Sequence, residues 1–331
     1  MAGLLRHPTR RDFLKTLPLV VAGTACRRQT FDARDLSLAP RSQVGLFAAS
    51  SYDIDLADLI SRGLDLLRPL VKGRRVLLKP NLVEYEAGTA INTHPLVVAG
   101  AAVAFLRAGA SEVVVGEGPG HRRDIEYLLL ASGLDDHLRE LGIRFVDLNH
   151  DDVRPARLRS HFTGLDELWL PVEVLTSDLV VSVAKLKTHH WAGMTSSMKN
   201  LFGIVPGAVY GWPKNLLHAK GINESIVDIN ATVRSGFSIV DAIVAMEGDG
   251  PIMGRPKPLG FVAMGCDPVA VDATCARIIG LDPGRLPYLA EAGTFLGHAL
   301  DGQIDQLAES PNRFRSRLDV VPHLDRLRLQ V

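Results

Sequence analysis

The sequence predicts an α/β fold: a mostly parallel sheet with helices on both faces and a ligand site at the strand carboxyl ends. Three observations predict it. Short aliphatic, β-branched runs alternate with stretches whose apolar residues recur at helical spacing. The connections between them are short, as in doubly wound sheets. Several of the runs carry almost no polar side chain, which is how a strand buried on both faces reads.

The elements follow in order. Residues 43–50 form a short apolar strand, and 53–67 carry a helical stripe of Ile54, Leu56, Leu59, Ile60, Leu64 and Leu67. Residues 75–83 are a strand that ends near Pro80, since proline cannot sit in mid-ladder. A helix follows, capped by Thr93, with Pro95 in its first turn and Gly109 closing it. Residues 112–116 are a third strand, 124–141 a helix and 144–148 a fourth strand. Between 151 and 166 the pattern lapses into a charged excursion or hairpin. Residues 168–175 suggest an edge strand because of Pro171. From Val180 runs a buried strand whose carboxyl end carries Lys185 to His190, and 204–221 form a long loop read as a lid. A helix over 223–234, a buried strand over 237–246 and a strand over 259–264 follow. The helix 269–279, opened by Pro268, comes next, then a helix over 286–295. Cys266 and Cys275 read as small buried side chains.

The chain centres on 180–203, VVSVAKLKTHHWAGMTSSMKNLFG. Alternate side chains of a strand share a face, so Lys185, Lys187 and His189 line one side of its carboxyl end. Thr195, Ser196 and Ser197 then open a helix whose free N–H groups suit an anion, with Lys199 facing the same way as Thr195. The spacing of a P-loop is absent.

Composition narrows the function classes. The chain has 331 residues, is 47% hydrophobic and carries 37 basic against 37 acidic side chains. Zero net charge and 6% aromatic content argue against nucleic acid as a partner. Three cysteines without a C-x-x-C pair argue against an iron–sulfur cluster held by this chain alone.

The amino terminus reads as an address. Thr9-Arg10-Arg11-Asp12-Phe13-Leu14-Lys15 matches the twin-arginine export pattern, and the apolar stretch 17–25 has the length of a signal h-region. It is too short to span a bilayer stably. Cleavage before Cys26 leaves a periplasmic product, with the twin-arginine export machinery as a partner. Lipid anchoring through Cys26 is the second reading; Gly23 stands where a lipobox prefers a large aliphatic. The organisation is then a signal peptide (1–25), a linker (26–41), one α/β domain (42–310) and a tail (311–331).

Ligands of open α/β sheets bind beyond the strand carboxyl ends. There the sequence places Lys79, Asn81, Glu117, Lys185, Lys187, His189, Glu247 and Asp249. Lysines and a helix start suit a phosphate or carboxylate, bound by Lys79, Asn81, Lys185, Thr195, Lys199 and Asn200. Lys187 and His189 are the candidate catalytic groups. Glu117, Glu247 and Asp249 are candidate ligands for a divalent metal, although no H-E-x-x-H or H-x-H motif supports one.

These residues lie in segments by which the chain resembles the domain-of-unknown-function family numbered 362. The segments are LLKPNLV (77–83), THP (93–95), VVVGEGPG (113–120), KLKTH (185–189), T-x-x-x-KN-x-x-G (195–203), AMEGDGP (245–251) and CDPVAVD (266–272). The resemblance covers roughly 42–281. It implies a parallel α/β domain of unassigned biochemical role. Some members append a ferredoxin-like module, whose clustered cysteines are missing here. Three functions fit: an exported enzyme acting on a small anionic substrate, a non-catalytic periplasmic ligand- or cofactor-binding protein, and a partner subunit of a redox system.

Overall fold

The computed structural model describes residues 38–121 and 123–330, which fall within one compact unit. The stretch expected to be an export signal and most of the expected linker lie outside the described residues. No helix among the described residues is long and apolar enough to cross a membrane.

The strands are β1 (Ser42–Ala48), β2 (Arg75–Pro80), β3 (Glu112–Glu117), β4 (Arg144–Asp147), β5 (Val153–Arg157), β6 (Glu167–Pro171), β7 (Leu179–His189), β8 (Gly193–Thr195), β9 (Phe237–Asp249), β10 (Met253–Gly265) and β11 (Ile304–Ala308). The main sheet runs β11-β1-β10-β9-β7-β2-β3-β4, with β8 paired to β7. Neighbours are parallel except where β10 meets β9 and β1, and where β8 meets β7. The sheet is thus mostly parallel, as expected, with an antiparallel β9–β10 hairpin. Both hairpin strands outrun the apolar segments by several residues, because β9 and β10 pair along arms that include Glu247 and Asp249.

Period-two alternation builds two cores. Leu77 and Val114 belong to one, Val76, Leu78, Val113 and Val115 to the other. The helices Leu56–Leu67 and Pro95–Arg107 cover one face; Ile222–Val233 and Pro268–Ile278 cover the other. The strand order reverses between β2 and β7, the position at which ligands enter such sheets.

Local differences have local causes. Thr93 does not cap its helix: His94 does, its Nδ1 accepting from Leu96 N at 3.3 Å. The Thr93 hydroxyl instead accepts from Asn81 N and donates to Val183 O, tying the ends of β2 and β7 together. The helix expected over 124–141 breaks at Gly133, whose φ of 75° lies in the left-handed region. The 151–166 excursion is half of the β5–β6 hairpin, a separate two-stranded sheet, and the strand expected over 168–175 ends at Pro171. The last twenty residues are no loose tail: Phe314, Leu318, Leu324 and Leu327 are buried. Cys275 is buried, but Cys266 is exposed.

Candidate functional site

The floor of the site is built at the end of β2. The Lys79 ammonium is fully buried and donates to a Glu117 carboxylate oxygen, to Asn200 Oδ1 at 3.0 Å and to Pro80 O at 2.6 Å. Glu117 also accepts from Leu82 N and Gly118 N. Asn200 Nδ2 donates to Lys79 O and to the Ser182 hydroxyl on β7, and Asn81 Nδ2 donates to Asn200 Oδ1. Asn81 Oδ1, also buried, has no partner among the described residues. Gly203 passes so close to this group that a Cβ there would overlap both Glu117 and Lys79. The chain's T-x-x-x-KN-x-x-G run therefore ends in glycine for steric room.

Lys185 and Lys187 leave β7 two residues apart and meet different surroundings. Lys185 donates to Asp241 Oδ2 at 2.9 Å and to the Tyr52 hydroxyl at 2.9 Å. Asp241 further accepts from Tyr52 and from the backbone of His94 and Ile243. This closed network takes up Lys185, which therefore does not serve as the open anion ligand expected. Lys187, also fully buried, has only carbonyl partners among the described residues: Ile91 O at 2.7 Å and Pro251 O at 3.3 Å. Burial, with Lys199 and Lys185 nearby, holds its ammonium well below the ordinary lysine range.

Lys199 is partly exposed and its Nζ lies 4.7 Å from the centroid of the Phe202 ring. It has no hydrogen bond or ion pair among the described residues. Burial and the Lys79 charge push its pKa down to about 8. Lys214 enters from the 204–221 loop, buried, and donates to Gly118 O, Phe202 O and Gly203 O at 2.7, 3.2 and 3.0 Å. Burial pushes it down to about 7. Its backbone sits at φ 68°, a left-handed conformation that costs a lysine about 1–2 kcal/mol. The loop expected as a lid contains two short helices, Gly207–Tyr210 and Asn215–Lys220, and Lys214 pins it over β3.

Two imidazoles border these lysines. His189 Nδ1 accepts from Trp191 N and Ala192 N at 3.1 and 3.2 Å, which leaves its proton on Nε2. His218 Nδ1 faces Lys214 O at 3.1 Å, so Nδ1 carries the proton and Nε2 the lone pair. Burial lowers both histidines, His189 strongly, with Lys199 among the cations acting on each. Trp191, 60% exposed, stands at the rim 5.5 Å from His218.

The helix start at Ser197 is not free. Asp272 accepts from Ser197 N at 2.7 Å and Met198 N at 3.1 Å. The anion expected at this helix is the protein's own carboxylate, and burial raises its pKa to about 7. Thr195 is buried in β8, opposite Lys187, rather than in the helix. The expected metal ligands are also apart in function. Glu117 bonds Lys79; Glu247 pairs with Arg255 at 3.1 Å and accepts from Asp319 N; Asp249 pairs with His190 at 3.2 Å. Among the described residues no group of three or more His, Cys, Asp or Glu stands close enough to hold a metal ion. The structure thus gathers Lys79, Asn81, Glu117, Asn200, Lys187, His189 and Lys199, and leaves Lys185, Glu247 and Asp249 in networks of their own. Lys214, His218 and Asp272 were not among the expected site residues. A lone acid in the apolar run VAVDATCA was the available signal for Asp272.

Comparison with known proteins places these residues in a wider group. The family model "Domain of unknown function (DUF362)" matches residues 76–277. The chain is 33% identical over 263 residues to "Thylakoid-associated protein sll1697" of Synechocystis sp., covering 75% of this chain and 77% of that protein. Among solved structures, the lactate racemase apoprotein from Thermoanaerobacterium thermosaccharolyticum is similar with a TM-score of 0.45 at 12% identity, covering 73% of this chain and 57% of that one. A protein from Thermotoga maritima gives 0.39 at 14% identity, covering 69% and 59%. The chain spans under two thirds of both solved chains. The family match and the Synechocystis relative together establish that the chain belongs to the DUF362 family.

Proposed function

We propose that this protein binds a small anion, bearing phosphate or carboxylate oxygens, at the carboxyl ends of β2, β3 and β7, and that it acts on it as an enzyme after twin-arginine export. One observation carries the reading: Lys187, Lys199 and Lys214 cluster with no carboxylate among the described residues bonded to any of them. Lysine is almost never buried without a counter-charge. A ligand's negative charge lowers the cost of keeping several ammonium groups together.

The roles follow from the geometry. Lys79 is neutralised by Glu117 and holds the floor in place. Lys187 and Lys199 meet the ligand's anionic oxygens, and Asn81 Oδ1 accepts a ligand hydroxyl or amide proton. His189 presents a neutral Nε2–H to a developing negative charge. No metal is assigned.

The test is a calorimetric titration of the purified chain with inorganic phosphate, pyrophosphate and small carboxylates. Lys187→Ala and Lys199→Ala should each weaken the best ligand by at least about tenfold, as loss of one charged hydrogen bond does, while the circular-dichroism melt stays cooperative. Unchanged affinity in both variants removes the anion site.

A further inference from the structure

We infer that Lys199 is a nucleophile that forms an imine with a carbonyl carbon of the ligand, with His218 as its base and His189 as the hydrogen-bond donor to the carbonyl oxygen. This rests on the anion-site reading and names its substrate class, a small oxo acid such as a 2-oxo carboxylate. Lys199 is the one lysine of the cluster that combines partial exposure with an ammonium left without a hydrogen bond among the described residues. Lys79 and Lys214 are spent on carbonyls, an amide and Glu117, and Lys187, fully buried, already donates to two carbonyls, which suits it to hold charge rather than to attack. Lys199 and His218 both contact the Phe202 ring, Lys199 at 4.7 Å and His218 at 5.1 Å from its centroid.

The two histidines are complementary. Their Nδ1 atoms are committed to backbone groups of opposite kind, N–H for His189 and C=O for His218. One imidazole therefore offers an Nε2–H and the other an Nε2 lone pair. A lysine hemmed in by other cations keeps a useful free-base fraction, roughly a tenth at pH 7 for a pKa near 8.

The step balances. His218 Nε2 takes a proton from the Lys199 ammonium. The free amine attacks the carbonyl carbon; the C–N bond forms and the π pair moves to oxygen, held by His189 Nε2–H. The nitrogen, now a C–NH2⁺ group, gives one proton to that oxygen, which becomes a carbinolamine hydroxyl and leaves the nitrogen its lone pair. The His218 imidazolium then protonates that hydroxyl, water leaves, and the nitrogen pair closes the C=N bond. Amine plus carbonyl gives imine plus water, with no oxidant or reductant.

The full chain is incubated at pH 7.5 with pyruvate or glyoxylate and sodium cyanoborohydride, then mapped by peptide mass spectrometry. Lactate, an anion of like size without the carbonyl, is titrated in parallel by tryptophan fluorescence. The expected result is one reduced adduct, on Lys199, blocked by excess lactate. Lys199→Arg should abolish it, and His218→Gln should slow its formation by about 100-fold, more than it weakens lactate. Lactate binding without any adduct overturns the imine and leaves the anion site standing. Neither binding nor adduct overturns both. Equal labelling in Lys199→Arg and the parent chain also overturns the assignment.

Discussion

Lys185 and Lys187 differ by one turn of the β pleat and by everything around their ammonium groups. Lys185 ends on Asp241 and Tyr52, with each partner bonded again to the backbone or to the other. Lys187 ends on two carbonyls and faces other cations. Both are fully buried, so burial alone does not mark a site. What separates structure from candidate function is whether the charge is answered from within the chain.

The strongest way to test that contrast is to break the answered charge. Asp241→Asn leaves Lys185 buried and uncompensated, and should cost about 3–5 kcal/mol in urea unfolding. The double variant Lys185→Met, Asp241→Leu should recover part of that, with a coupling of about 0.5–3 kcal/mol. A simple sum of the single losses would mean that the pair is not a unit. Next comes Lys214→Met, which strips the donor from three buried carbonyls and should cost about 1–3 kcal/mol. Hydrogen exchange should then rise over the 204–221 amides before it rises in β7; uniform exchange would deny Lys214 its role as the loop's anchor.

The smallest effect is a dependence on pH. Only protonated Lys199 attracts an anion, and its pKa is about 8 in the folded chain. Affinity for a small carboxylate, itself ionised throughout, should therefore be level below pH 8 and fall by up to about tenfold per unit above it, with proton uptake on binding. Unliganded stability should move the other way. The folded value lies below the unfolded lysine value of about 10.4, so the unfolded chain binds more protons between the two. Stability therefore rises with pH across that window. Lys199→Met should abolish the affinity trend and make the rise in stability shallower, the buried Lys187 and Lys214 supplying the remainder; an unchanged affinity profile would assign it to another group.

How much of this was legible in the sequence depends on range. The parallel strands were legible because each apolar run packs on both faces and shows it locally, as 112–116 and 180–184 do. The β9–β10 hairpin arms were not, because Glu247 and Arg255 read as loop chemistry until they are seen to oppose one another across a ladder. Lys79, Asn81 and Glu117 were found by their place at strand ends, and Asn200 through the T-x-x-x-KN-x-x-G run. Asp272 and Lys214 were missed for a common reason. Each acts on backbone groups of a distant segment, and nothing in a residue's own neighbourhood announces which N–H or C=O it will meet. The helix start at Ser197 was recognised, but its occupant came from 75 residues downstream.

The outer strands carry a last consequence. The family match, 76–277, begins inside β2 and ends inside the helix Pro268–Ile278. It leaves out β1 and β11, although β1 is the partner that covers Phe261–Gly265 of β10 and is itself covered by β11. Cut to the matched span, the protein would present β10 as a bare ladder of unpaired amides, a template for self-association. The matched middle is thus completed from outside itself: β1 and β11 pair with each other and seal its open edge.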